Sequence, residues 1–221
     1  MGWGGGGFVM GMLVLAAASC APRPRAPAVA PASRSAAATV AVLPFRVGGE
    51  LDRDAAFAER RDIPPAPDDV GERMAVTLSQ DLQRRGVGTV DPVVVLRATP
   101  PPGAARYDRE LGARVARTVG APFAVIGALT RFVERQGSAW GATTPATVWY
   151  QALLVDAASG TVLDRERFEY TQQPLSQNLL ELPRFLRGGG RWVTRQEMLD
   201  GALGETAGKL VRVIRATPAP G

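Results

Sequence analysis

The chain has 221 residues, a formal net charge of +5, one cysteine and no histidine. That composition excludes Ser-His-Asp triads, Cys-His dyads and ordinary zinc sites, and a single thiol leaves no disulfide within the chain. Its 26 cations are almost all Arg and alternate with 21 carboxylates, as in "LDRDAAFAERRD"; the clustered cations and interleaved aromatics of a nucleic-acid site are missing.

Met1 to Ser19 carries no charged side chain and holds an apolar run from Phe8 to Ala18. As a helix that run spans about 16 Å, roughly half of a hydrocarbon core. The small residues Ala16 to Ser19 close it as an export peptidase requires. "AASC", ending at Cys20, resembles the lipobox of bacterial lipoproteins, whose cysteine is acylated and becomes the mature N-terminus. The alternative is an ordinary signal peptide or anchor followed by a chance cysteine. On the lipobox reading, residues 1–19 are a signal peptide and Cys20 carries lipid. Each buried methylene contributes about 0.8 kcal/mol, so two or three chains anchor firmly. Ala21 follows the cysteine, which by resemblance to enterobacterial lipoproteins favours the outer membrane.

"APRPRAPAVAPASRSAAA", from Ala21 to Ala38, has almost nothing to bury. At about 3.1 Å per residue in extended form it reaches roughly 55 Å. Residues 20–38 are therefore read as acylated cysteine plus disordered tether, residues 39–216 as a single α/β domain, and residues 217–221 as a disordered tail. About 180 residues suffice for one sizeable core.

"TVAVLPF" (Thr39 to Phe45) reads as a buried first strand ended by Pro44, with Val40, Val42 and Leu43 inside. A polar, proline-punctuated loop runs to Pro67. Asp68 or Asp69 then caps a helix with Val70, Met74, Leu78 and Leu82 spaced four apart, and Gly86 stops it. "PVVVLRA" (Pro92 to Ala98) reads as a second strand, and "TPPPG" as a break. A second helix from about Asp108 carries Leu111, Val115 and Val119 on one face and ends at Gly120. Pro122 to Glu134 reads as a long third strand. Val148 to Asp156 and Val162 to Tyr170 flank "AASG" as a hairpin. "TRQE" (Thr194 to Glu197) is a capping box that opens a last helix, with Leu199, Leu203, Leu210, Val211 and Ile214 on its apolar face.

This order predicts an α/β sandwich of two or three layers, with a mixed sheet of about five strands and flanking helices. "VAVLPF", "MAVTLSQDLQRRG" and "LGARVARTVGAPFAVIGALTRF" together resemble the TolB amino-terminal/CsgG/LpoB-like group of envelope lipoproteins and periplasmic domains. The likeness covers Thr39 to about Asp156. It implies a non-enzymatic role, since members act as secretion pores, as activators docked onto cell-wall synthases, or as subunits of transport assemblies. A pore would need lipid-facing hairpins. Strict alternation puts Leu163, Arg165, Arg167 and Glu169 on one face of the second hairpin strand, and Val162, Asp164, Glu166, Phe168 and Tyr170 on the other. Neither face suits lipid, where a midplane Arg costs about 2–4 kcal/mol.

The expected function is an outer-membrane-anchored periplasmic lipoprotein, lipidated at Cys20. It would serve as a non-catalytic accessory or assembly subunit of an envelope complex, with a protein partner and with no metal, cofactor or nucleic acid. Thr171 to Trp192 is long for a connection and mixes apolar anchors with Arg, so Phe185, Arg187, Arg191 and Trp192 are the candidate partner-binding residues. The competing reading of that stretch is that its leucines cap the core. The alternative function is a lipid-anchored carboxylate-dependent hydrolase acting on a cell-wall or glycan substrate, drawing on Asp156, Asp164 and Glu166 near the hairpin. Lys209, the only lysine, reads as a solvated cation on the last helix. "RGGGRW" (Arg187 to Trp192) lacks the following Lys-Ser/Thr of a phosphate loop and reads as a simple loop.

Overall fold

A computed structural model describes residue 1 and residues 39–60, 66–137, 142–172 and 193–217. From residue 39 onward these belong to one compact unit, Arg34–Gly221. The chain enters it through β1 (Thr39–Val42), β2 (Arg46–Val47), β3 (Gly49–Leu51) and β4 (Phe57–Glu59), then α1 (Val70–Arg84) and β5 (Gly88–Thr89). Helices α2 (Pro92–Ala98) and α3 (Arg109–Thr118) lead into the long β6 (Phe123–Val133). The short pair β7 (Gln136–Gly137) and β8 (Ala142–Thr144) precedes the hairpin β9 (Thr147–Asp156) and β10 (Val162–Thr171), and α4 (Arg195–Ala216) follows.

The main sheet runs β10-β9-β6-β1-β5, with β2 also paired to β6. β1 is parallel to β5 and β6, whereas β9 runs antiparallel to both of its neighbours, β6 and β10. Side chains alternate along each strand, and both faces of the central strands are apolar. Val40, Val42, Phe123, Val125, Tyr150 and Leu154 pack with α1 and α4. Ala41, Leu43, Ala124, Ile126, Leu153 and Val155 pack with α2 and α3. The sandwich therefore has three layers.

Helix ends follow from local chemistry. Beyond α1, Gly86 adopts φ +81, and the Val87 N–H donates to Leu82 O at 3.0 Å. Gly120 does the same after α3, with φ +73 and an Ala121 N–H to Ala116 O bond of 2.8 Å. Both are Schellman stops, in which glycine relieves the steric cost of the left-handed residue. Asp108 caps α3 by accepting from the Leu111 N–H at 2.9 Å. The capping box of α4 is complete, with Thr194 and Glu197 bonded reciprocally. Asp69 occupies the N-cap position of α1 without capping it; its carboxylate accepts from Arg73 one turn on instead.

Besides this missing cap, three sequence expectations need correction. "PVVVLRA" is a helix, α2, not a strand. Asp91 accepts from the Val93 N–H at 2.8 Å and Pro92 stands in the first turn, a start signal that outweighs the β-propensity of three valines. Only Val95 is buried, and the sheet place beside β1 goes to Gly88–Thr89. The loop from Arg46 to Pro67 contains structure of its own. β2 lies parallel to β6, and β3 pairs antiparallel with β4 through Leu51 and Phe57. Lastly, a β-bulge between Val162 and Asp164 breaks strict alternation in β10. Leu163 consequently packs on the α4 side, while Val162 joins the opposite cluster.

Candidate functional site

β1 lies between β5, reached through α1, and β6, reached through α3. The two helices lie on opposite faces of the sheet, and a crevice opens beyond the C-terminal end of β1. Ligands of open α/β sheets bind at such switch points. After β1 the chain turns through Pro44 and Phe45. The Phe45 ring is buried at 3% exposure and lies edge-on to Tyr150, at 6.2 Å between centroids. It occupies the space a Cβ on Gly127 would take, 2.1 Å from Cε1. Its carbonyl oxygen lies where a Cβ on Gly71 would fall, 2.0 Å away. Gly127 and Gly71 thus let the sheet and the first turn of α1 close on Phe45.

Tyr107 forms the other wall. Its hydroxyl donates to Pro44 O at 2.8 Å and accepts from the Gly127 N–H at 3.3 Å. Burial raises its ionisation well above the ordinary phenol range, so it acts as a neutral structural brace. The guanidinium of Arg46 lies 4.8 Å from the Tyr107 ring centroid and donates to Pro100 O at 3.2 Å. Between these walls is a groove of about 1040 Å³, lined among others by Phe57, Leu96, Pro101, Arg106 and Glu72. Arg106 lies 3.5 Å from Asp108, and Arg60 lies 3.4 Å from Glu50. Leu96 belongs to an exposed apolar strip of α2 with Val93 and Val94, which are 39%, 52% and 46% exposed. Aromatic and proline walls with ion-paired arginines on the rim suit recognition of a surface or segment.

The three hairpin carboxylates have separate structural duties. Asp156 accepts from the Ser159 N–H and hydroxyl, each at 2.7 Å, and these bonds hold it below the usual carboxylate range. It is ionised at neutral pH and unsuited to acid catalysis. Asp164 accepts from the Arg165 N–H at 2.9 Å. Glu166 pairs with Lys209 at 2.6 Å; the lysine is the exposed cation on the last helix that the sequence suggests, and it also holds this carboxylate. Among the described residues no group of three or more His, Cys, Asp or Glu could hold a metal ion. Among them, too, no helix is long and apolar enough to cross a membrane.

No family model matches the sequence, and no curated protein matches it. Solved structures do match. The PelC dodecamer from Paraburkholderia phytofirmans aligns with a TM-score of 0.44 at 14% identity, over 82% of this chain and 89% of that one. Lipoprotein GNA1162 from Neisseria meningitidis gives 0.41 at 15% identity, over 69% and 95%. The NMR structure of E. coli LpoB gives 0.41 at 14%, over 62% of this chain and 59% of that one. The chain is structurally similar to these proteins. No residue role passes across likenesses at this level.

Cys20, Phe185, Arg187, Arg191 and Trp192 lie outside the described residues, as does the "RGGGRW" loop. In the sequence the groove is signalled by Pro44-Phe45 and the "TPPPG" break, while the strand expectation for Pro92 to Ala98 conceals the exposed Val93, Val94 and Leu96.

Proposed function

We propose that this protein is an outer-membrane lipoprotein, acylated at Cys20 and facing the periplasm. It serves as a non-catalytic accessory or assembly subunit of an envelope complex concerned with secretion, transport or cell-wall synthesis. The groove beyond β1 carries this reading. It is wide, walled by Phe57, Tyr107 and prolines, and bordered by the apolar strip of α2. Such a surface binds by shape and burial and needs no proton transfer. The uncharged apolar leader, "AASC" and the proline-rich stretch from Ala21 to Ala38 support the address. Phe185, Arg187, Arg191 and Trp192 are proposed as further anchors for the same partner, as an aromatic-Arg set in a long connection.

Chemical crosslinking in intact membranes, followed by identification of the captured envelope protein, tests the proposal. Val94→Glu with Leu96→Glu, at exposed positions, should abolish the crosslink and leave the melting temperature unchanged. Phe185→Ala with Trp192→Ala should weaken it; truncating a buried interface aromatic typically costs about 2 kcal/mol or more, roughly thirtyfold in affinity. Retention of the partner by both double variants would overturn the reading. So would turnover of peptidoglycan or another glycan by the purified protein.

A further inference from the structure

On the α3 side of the sheet, beyond the reach of that helix, β9 and β10 are roofed only in part by β3. A pocket of about 420 Å³ remains there, lined by Leu51, Gln151, Arg53, Arg165, Arg167 and the carboxylate-bearing Glu50 and Asp52. Its distinctive member is Gln151, which is only 7% exposed. The Leu51 N–H can only donate, and it donates to Oε1 of Gln151 at 3.1 Å. That bond fixes the side-chain amide, with the oxygen toward β3 and the NH₂ turned away from it. Among the described residues Nε2 has no hydrogen-bond partner, and it is not sealed from solvent. An amide donor held in this orientation and open to a pocket is free to bond a ligand acceptor in place of solvent.

Two guanidiniums flank that donor. Arg167 stands directly across from Gln151 in the β9–β10 register, and Arg165 is two residues along the same face. Both side chains are exposed. Arg165 uses Nη2 to donate to Asp52 O at 3.1 Å, which leaves further N–H groups available. The carboxylates nearby are engaged already. Glu50 pairs with Arg60 at 3.4 Å, and Glu169 pairs with Arg167. Asp52 Oδ1 accepts from the N–H groups of Asp54 and Ala56, each at 2.9 Å.

The structure assigns this pocket as a binding site for an oxyanion, a carboxylate or phosphate group. The planar amide and guanidinium donors match the planar acceptor edge of such groups, and an ionised acceptor strengthens each bond. The assignment stands apart from the groove at the other end of β3 and from any partner bound there.

The test uses the full chain in neutral detergent, titrated separately with acetate and with inorganic phosphate at constant ionic strength. The side-chain amide resonances of Gln151 are followed by NMR. A saturable shift is expected with at least one anion; stronger acetate binding points to a carboxylate ligand, and stronger phosphate binding to a phosphate. Gln151→Glu keeps an acceptor for Leu51 and replaces the donor with oxygen, whereas Arg165→Ala with Arg167→Ala removes the two β10 cations. Each variant, with an unchanged melt, should bind about tenfold or more weakly by calorimetry. The arginine variant carries the comparison should Gln151→Glu unfold. Absence of any saturable shift, or wild-type affinity in the folded variants, overturns the assignment.

Discussion

Phe45 shows how much of this molecule hangs on contacts of a few atoms. Its ring and carbonyl fill the space above Gly127 and beside Gly71. In Gly71→Ala the new methyl would meet backbone, which cannot swing aside as a side chain can, so α1 must shift. We expect a loss of about 1–3 kcal/mol, measured by denaturant unfolding. Gly127→Ala should cost a similar amount by displacing the ring. Val42, at 1% exposure, is a harsher case. Val42→Asp would place an unpaired charge between β1 and the α1–α4 layer, costing several kcal/mol against a domain stability of about 5–15 kcal/mol. Its thermal melt should be abolished or the protein should aggregate; a cooperative melt near the wild-type temperature would contradict the core assignment.

At the scale of elements, α2 and the β9–β10 turn carry the sharpest expectations. α2 is only 7 residues long, too short to persist on propensity alone. Its cap therefore counts. Asp91→Ala should destabilise the fold by about 1 kcal/mol, and hydrogen exchange should show the loss concentrated in residues 92–98. In the hairpin turn, Asp156 has its ionisation lowered from an ordinary value of 3.8 by the Ser159 bonds. A depressed folded-state pKa means that the charged form stabilises the fold above the unfolded-state value, and that this is lost as pH falls through the folded-state value. Asp156→Asn should thus be less stable than wild type at pH 7. The gap should shrink as pH drops below about 3.8. A constant gap across acid titration, followed by thermal melts, would count against the Ser159 bonds as its source.

The whole-molecule proposal is a folded domain on a lipid tether. Cys20→Ala should move the protein from the membrane fraction to the soluble fraction, and mass spectrometry should find the mature N-terminus at an acylated Cys20. An intact Met1, or unchanged membrane retention of the variant, would remove the anchor from the account. Deleting Ala21 to Ala38 should leave the melting temperature nearly unchanged, because Ala, Pro, Arg and Ser offer little to bury. The same deletion should reduce partner crosslinking if reach from the bilayer matters, since it removes roughly 55 Å of extended chain.

Sequence by itself determined what is encoded over one or two turns or one strand. The fourfold spacing of Val70, Met74, Leu78 and Leu82, the glycines that stop α1 and α3, the Thr194–Glu197 box and the apolar run Phe123 to Leu129 that opens β6 each act through near neighbours, so the local pattern carries them. The same holds for the hairpin and for the burial of both β1 faces, and from these the α/β sandwich follows. What the tertiary structure decided is where short segments had two options of similar free energy. Pro92 to Ala98 is rich in β-formers yet is helical, because Gly88–Thr89 pairs with β1 and Asp91 offers a cap. Residues 46–59 look like a loop until β6 supplies a parallel neighbour for Arg46–Val47 and Leu51 meets Phe57. The side to which Leu163 turns depends on a bulge set by its pairing with β9. The groove and the Gln151 pocket are likewise formed by residues far apart in the chain, as in the Leu51–Gln151 and Arg165–Asp52 bonds, which span 100 and 113 positions. Bonds between such distant residues depend on loop closure and competition for burial, which no local window contains.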